Sequence, residues 1–275
     1  MEKFRFFSLA SGSSGNCYYL GTPSFGILID GGIGVRQIKK ILKEHGVEFE
    51  KIVAVLITHD HSDHIKSAGI LGETHHIPVY ATEAVHLGIR RSRYVEEILI
   101  DSQRVIEKEI PFSIRDFTIT AFEVPHDSSD NVGYMIVYGD HTFVIVTDVG
   151  HITDVIRKYV CMANYLVLEA NYDEEMLMSG SYPDFLKERV SSDTGHLSNR
   201  KAAEFLADNY SSKLKNVWLC HLSRDNNHPE LAYKTVDLRL FQEGIRVGKD
   251  LSLTALKRMS PSEVFDLTAH TLEGV

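Results

Sequence analysis

A chain of 275 residues, 43% hydrophobic and 24% charged, has an ordinary globular balance, which excludes a disordered or fibrous polypeptide and predicts one domain over 1–275. Its 29 basic and 38 acidic residues leave a net charge of −9, so attraction to a phosphate backbone has to come from local clusters rather than from the whole surface. No apolar run approaches the roughly 20 residues needed to cross a bilayer, and Cys17, Cys161 and Cys220 lack metal-knuckle spacing, which together predict a cytoplasmic protein without a membrane partner, its thiols buried and reduced.

Along the chain, short β-rich runs alternate with amphipathic stretches. Strands are predicted near 4–9, 17–21, 25–30, 52–57, 117–124, 132–138, 142–147, 165–169 and 216–220. Helices are predicted at 34–45, where Val35, Ile38, Ile41 and Leu42 share a face and Gly46 offers a stop, and at 153–163, 199–210 and 229–243. Basic groups at Arg90-Arg91-Ser92-Arg93, Arg200-Lys201 and Lys213-Leu214-Lys215 read as solvated helix faces or loops.

Polar residues interrupt this pattern at strand ends. Asp30 ends the run from Phe25, His59 follows Ile52–Ile57 and Thr58, Asp148 follows Phe143–Thr147, and His221 follows Val217–Cys220. Rigid strands that deliver polar groups at their C-terminal ends suit a preorganised site. In His59-Asp60-His61-Ser62-Asp63-His64, extended chain places His59 and His61 on one side. A turn into a helix at Ser62-Asp63 then swings Asp63 and His64 toward a second point, giving two adjacent metal sites. Imidazole and carboxylate suit Zn²⁺, Mn²⁺ or Fe²⁺, and the absence of thiolates argues against a structural zinc. A lone His-x-His would read as a polar loop; three histidines and Asp63 within six residues behind an apolar strand do not.

The segment Thr58–His64 resembles the signature of the metallo-β-lactamase superfamily, and Asp30, His126, Asp148 and His221 match the remaining motifs in chain order. The resemblance implies an α/β fold, a four-layer αβ/βα sandwich with two mixed sheets. It implies that His59, His61 and His126 bind one divalent ion, that Asp63, His64 and His221 bind a second, and that Asp148 bridges them. Asp30 would accept a hydrogen bond from a ligand imidazole and fix its tautomer. Two ions roughly 3.5–4 Å apart lower the pKa of a shared water from near 16 to about 7, so hydrolysis is the natural chemistry. By contrast His45, His75, His76, His86, His141, His151 and His270 have no such context and read as surface or hydrogen-bonded core residues.

The ligands alone do not separate phosphodiesters from thioesters or β-lactams. Leu168-Glu169-Ala170-Asn171 and Thr194-Gly195-His196-Leu197-Ser198-Asn199 resemble segments of the phosphodiesterase branches. There the histidine contacts the scissile phosphate and the glutamate partners it, roles carried here to His196 and Glu169. The opening Ser8–Asn16 and closing His221–Pro229 segments resemble the YycJ/WalJ-like group, regarded as DNA exonucleases acting from the 5′ end. Ser13, Ser14, Asn16, Arg224 and Asn226 are then candidate substrate-binding residues beside His196, and Asp63, Asp148, His196, Glu169 and Asp30 the candidate catalytic groups. Only 72 residues separate Asp148 from His221, too few to insert a nucleic-acid cap of the β-CASP type. The nucleic-acid reading, with DNA as substrate, competes with a metallohydrolase of a thioester, lactone or cyclic phosphodiester, and with a silent binding module.

Overall fold

The computed structural model describes residues 2–268, so His270 lies outside the described residues. Within the described residues the chain divides into two compact units, 2–121 with Ser128–Val132 and 257–268, and Phe122–Asp127 with Gly133–Leu256.

The first unit opens on a hairpin of β1 (Arg5–Gly12) and β2 (Gly15–Gly21), whose turn is Ser13-Ser14. Then come β3 (Gly26–Ile29), α1 (Val35–Glu44), β4 (Ile52–Leu56), the single turn α2 (Ser62–Ile65), β5 (Val79–Ala81), α3 (Glu83–Arg91) and β6 (Gln103–Val105). With the late strand β14 (Phe265–Asp266), these strands form a seven-stranded sheet of order β14-β1-β2-β3-β4-β5-β6. It is antiparallel as far as β3 and parallel from β3 to β6. Phe7, Leu9, Leu28, Val55 and Ile57 pack with Ile38, Ile41 and Leu42 of α1 and with Val85 and Ile89 of α3. The helical stripe anticipated on α1 thus covers the sheet. The hairpin of β7 (Phe112–Ile114) and β8 (Phe117–Glu123) follows.

In the second sheet the order is β13-β12-β11-β10-β9-β8-β7, with β9 (Val132–Tyr138), β10 (His141–Val146), β11 (Tyr165–Glu169), β12 (Asn216–Cys220) and β13 (Ser252–Ala255). Strands β9 and β10 are antiparallel, and β10 to β13 are parallel. Five helices accompany them: α4 (Asp154–Val160), α5 (Glu174–Ser179), α6 (Asp184–Ser191), α7 (Asn199–Asp208) and α8 (Pro229–Gln242). The core of the second unit joins Val144, Val146, Leu166, Leu168, Val217 and Leu219 to Ile156, Ala202, Phe205, Val236 and Leu240. These strands are buried on both faces, which is why they read as unbroken apolar runs.

Among the described residues no helix is long and apolar enough to cross a membrane. Cys17 and Cys220 are buried as anticipated, but Cys161 is exposed because it closes α4 at the surface.

Candidate functional site

Parallel strands gather functional groups where their carboxyl ends stop, and each unit presents one such cluster. Three residues within two positions of the strand ends, Asp30, Asp148 and His221, have positive φ values of 61°, 54° and 52°. This left-handed conformation costs a side chain bearing a Cβ roughly 1–2 kcal/mol, and it turns each side chain out of the strand's alternation.

In the first unit, Asp30 is fully buried beyond β3, and its amide donates to the Leu56 carbonyl at 2.7 Å. One carboxylate oxygen accepts from the Thr58 amide at 2.8 Å, and the other accepts from His64 Nδ1 at 2.7 Å. Burial raises the Asp30 pKa against the opposing pull of His64 and Thr58. By donating from Nδ1, His64 keeps a lone pair on Nε2, where the Asn16 side-chain amide donates at 2.9 Å. The His59 ring centroid lies 4.7 Å from that of His61 and 4.1 Å from that of His64, and Asp63 Oδ2 is 3.6 Å from His64 Nε2.

Backbone packing fixes this cluster. His61 caps α2, its carbonyl accepting from the His64 amide at 2.9 Å. A Cβ on Gly32 would lie 1.6 Å from the Asp63 carbonyl oxygen, so only glycine lets the ligand turn approach. Asp60 points elsewhere: it accepts from the Ser129 amide at 3.1 Å and hydroxyl at 2.5 Å, and packs against Gly88 of α3.

The second unit gathers His126, Asp148, Glu169, His196 and His221. Ligand atoms of the last four all lie within 4.8 Å of one another. Glu169, at 0% exposure, uses both oxygens. Oε2 accepts from the Val149 and Leu197 amides at 2.7 and 3.0 Å, and Oε1 accepts from His196 Nδ1 and His221 Nδ1 at 2.7 and 2.9 Å. Burial works to raise the Glu169 pKa, but the two imidazoles outweigh it and hold the carboxyl below its ordinary value. Asp148 Oδ1 lies 3.2 Å from His221 Nδ1, while its other oxygen accepts from Thr147 Oγ1 at 2.7 Å. His126 Nδ1 donates to the Gly195 carbonyl at 2.9 Å, leaving a lone pair on Nε2, which is 3.4 Å from Asp127 Oδ1 and 3.7 Å from Asp148 Oδ1.

Both donor sets fit a divalent cation. His64, His126 and His221 each give their Nδ1 proton to an oxygen, which leaves Nε2 basic, and carboxylates stand beside them. A neutral imidazole lone pair facing carboxylate oxygens is an acceptor-to-acceptor arrangement that a cation relieves.

Among the anticipated substrate contacts, Ser13, Ser14 and Arg224 are exposed, whereas Asn16 and Asn226 are buried. Asn16 spans the Gly12 carbonyl and His64, and the Asn226 carbonyl accepts from the Asp173 amide. Sequence reasoning missed Asn227, whose side-chain amide donates to the carbonyls of Ala170 and Asn171 and to Asn199 Oδ1, all at 2.9 Å, tying three loops together. It also missed Asn171, which donates to the His221 carbonyl at 2.8 Å. Asn171 left a signal as an asparagine just past the strand run 165–170, whereas Asn227 sits in the polar stretch 223–228 and left none.

The family model described as "Beta-lactamase superfamily domain" matches residues 26–221. The chain is 36% identical over 91% of its length to exodeoxyribonuclease WalJ of Streptococcus pneumoniae serotype 2, strain D39, covering 93% of that protein. It is 32% identical over 93% of its length to exodeoxyribonuclease YycJ of Bacillus anthracis, covering 96% of it. Among solved structures, the metallo-β-lactamase fold protein YhfI of Bacillus subtilis superposes with a TM-score of 0.70 at 18% identity, over 96% of this chain and 99% of that one. Zn²⁺-bound PqqB of Methylobacterium extorquens gives 0.72 at 16% identity, over 96% and 100%. These structural likenesses show the fold.

Proposed function

The chain belongs to the β-lactamase superfamily, and from that premise we propose that it is a metal-dependent phosphodiesterase, a DNA exonuclease working from the 5′ end. The relatives named as exodeoxyribonucleases, matched over nearly their whole length, support the substrate class. The observation that carries the reading is Glu169, whose one oxygen holds both His196 and His221. A histidine proposed to face the phosphate and a histidine proposed to hold a metal are thereby set by the same carboxylate.

In this reading His59, His61, Asp63, His64, His126, Asp148 and His221 would hold two divalent ions, and the 1–275 chain would act as one functional domain. The bound ions would supply Lewis acidity and a water activated at neutral pH. The chain's own residues then do three things. Asp30 fixes the tautomer of His64, and the Gly195 carbonyl fixes that of His126. Glu169, anionic at neutral pH, sets His196 with Nε2 away from the carboxylate, and the His196 side chain keeps 18% of its surface exposed. From that position His196 binds the phosphate and, when protonated, gives a proton to the departing oxygen.

The test is hydrolysis of linear duplex DNA carrying 5′-phosphates, by metal-stripped protein resupplied with Mn²⁺ or Zn²⁺, beside Asp148→Asn. Stepwise nucleotide release from the 5′ end, dependent on metal and lost in the variant, is the expected outcome. The net charge of −9 favours a second reading, a hydrolase of a small thioester, lactone or cyclic phosphodiester. Turnover of such a compound by protein that leaves DNA intact would establish it.

A further inference from the structure

We propose that Arg189 is a phosphate-binding residue for the nucleic-acid strand, with Asp127 as the carboxylate that aims it; the assignment rests on the phosphodiesterase reading above. Arg189 lies in the last turn of α6, and its Nε donates to Asp127 Oδ2 at 2.5 Å. Asp127 follows His126 in the chain, and its other oxygen stands 3.4 Å from His126 Nε2. A single carboxylate therefore separates the guanidinium from a candidate metal ligand.

The end of α6 is fixed to the same loops. The His196 amide donates to the Val190 carbonyl at 2.8 Å, and the Gly195 carbonyl accepts from His126 Nδ1. Arg189-Val190, Gly195-His196 and His126-Asp127 thus form one packed group within the second unit. A guanidinium there has its position set by the backbone that also sets His126 and His196.

The pairing of Arg189 differs from that of two other arginines in the second unit. Arg200 is held by Glu174 through both Nε and Nη2, and Arg239 is shared between Glu243 and Asp208. Arg189 spends only Nε on Asp127, and among the described residues its Nη groups have no hydrogen-bond or ion-pair partner. Its side chain keeps 55% of its surface exposed. A guanidinium has five N–H donors, and gripping it by the Nε edge leaves the Nη donors in the planar fork that matches a phosphate. A carboxylate serving only as a latch would not need to leave that fork open.

The experiment measures kcat/KM of the Mn²⁺-loaded protein on a single-stranded DNA oligonucleotide with a 5′-phosphate, between about 50 and 200 mM KCl. The variants are Arg189→Ala, Arg189→Lys and Asp127→Asn, each with its thermal midpoint measured in parallel. Removing one phosphate contact shallows the plot of log(kcat/KM) against log[salt] by about 0.7 for a single strand. Arg189→Ala is expected to show that change with KM raised about tenfold or more. Arg189→Lys keeps a charge and is expected to retain the wild-type slope, as is Asp127→Asn, which keeps the guanidinium. A slope in Arg189→Ala parallel to that of the wild type, with only kcat or the thermal midpoint lowered, would show a structural latch and overturn the assignment. Equal shallowing in Arg189→Ala and Asp127→Asn would overturn it too. Wild-type protein that leaves DNA intact defeats the nuclease reading and this assignment together, whereas DNA turnover with parallel slopes defeats the assignment alone.

Discussion

Replacing Glu169 by glutamine keeps the shape of the side chain and removes one of its two acceptors. In the native protein one oxygen serves two backbone amides and the other two imidazoles. Glutamine offers an oxygen at one of these positions and an NH₂ at the other. The backbone amides of Val149 and Leu197 have no alternative protonation state, so the oxygen stays with them and the NH₂ faces His196 and His221. Both imidazoles must then accept at Nδ1 and carry their proton on Nε2, which removes the lone pair that His221 would offer a cation. Losing an outer partner of a metal ligand typically costs 10–100-fold in affinity, about 1.4–2.7 kcal/mol. Were the oxygen to stay with the imidazoles instead, two buried amides would lose bonds to a charged acceptor at about 1.5–3 kcal/mol each, or about 3–6 kcal/mol of folding stability. The assay is a Zn²⁺ titration of metal-stripped Glu169→Gln against a chromophoric chelator, with the thermal midpoint in parallel. The expected result is weakened binding with a modest loss of stability. Affinity within about twofold of wild type, with an unchanged midpoint, would refute the tautomer argument.

His196→Ala should leave Zn²⁺ affinity near the wild-type value and lower kcat by about 10²–10⁴-fold; a pure rise in KM would assign His196 to ground-state phosphate binding. Gly32→Ala puts a methyl group against the Asp63 carbonyl, and urea denaturation should show a loss of about 1–3 kcal/mol, with weaker metal binding because the turn carrying Asp63 and His64 has to shift. An unaltered metal titration would show that this turn can move without harm. Glu73 accepts from Ser102 Oγ at 2.5 Å and from the Ile100 amide at 2.9 Å, which with the Ser102 amide lowers its pKa from 4.5 to about 2. A depressed carboxylate stabilises the fold fully above its unfolded pKa and ceases to do so as pH falls through its folded one. The midpoint difference between wild type and Glu73→Gln should therefore be present at pH 7 and narrow between about pH 4.5 and pH 2; a gap constant through that window contradicts the assignment.

The nine anticipated strands all form, as do the four helices, because each carries a long apolar run or a clear stripe that buries in its unit. The elements left unread are short or half-exposed. Strand β5 has three residues, β6 is largely exposed, and α6 buries no residue. Helix α3 carries Gly88 in its middle, a poor helix former, and the reason is not local: a Cβ there would lie 1.9 Å from the Asp60 carboxylate. The placement of Asp30, His59, Asp148 and His221 at strand ends was legible because charge does not continue an apolar strand. The double grip of Glu169 was not, since it depends on the parallel register that pairs Glu169 with Cys220 and so brings His221 alongside. Asn16 and Asn226 read as substrate-binding residues yet are buried, because a sequence does not show which asparagines fold inward.

Asp30, Asp148 and His221 place three side chains of the proposed centre on backbone that glycine or asparagine would adopt with less strain. Folding and chemistry therefore rank the twenty amino acids differently at these three positions. In a mutant library screened for thermal resistance alone, asparagine, which suits this backbone and keeps a hydrogen-bonding side chain, should accumulate there. Such survivors would be sturdier proteins with a dismantled centre, and a screen that omits turnover would count them as improvements.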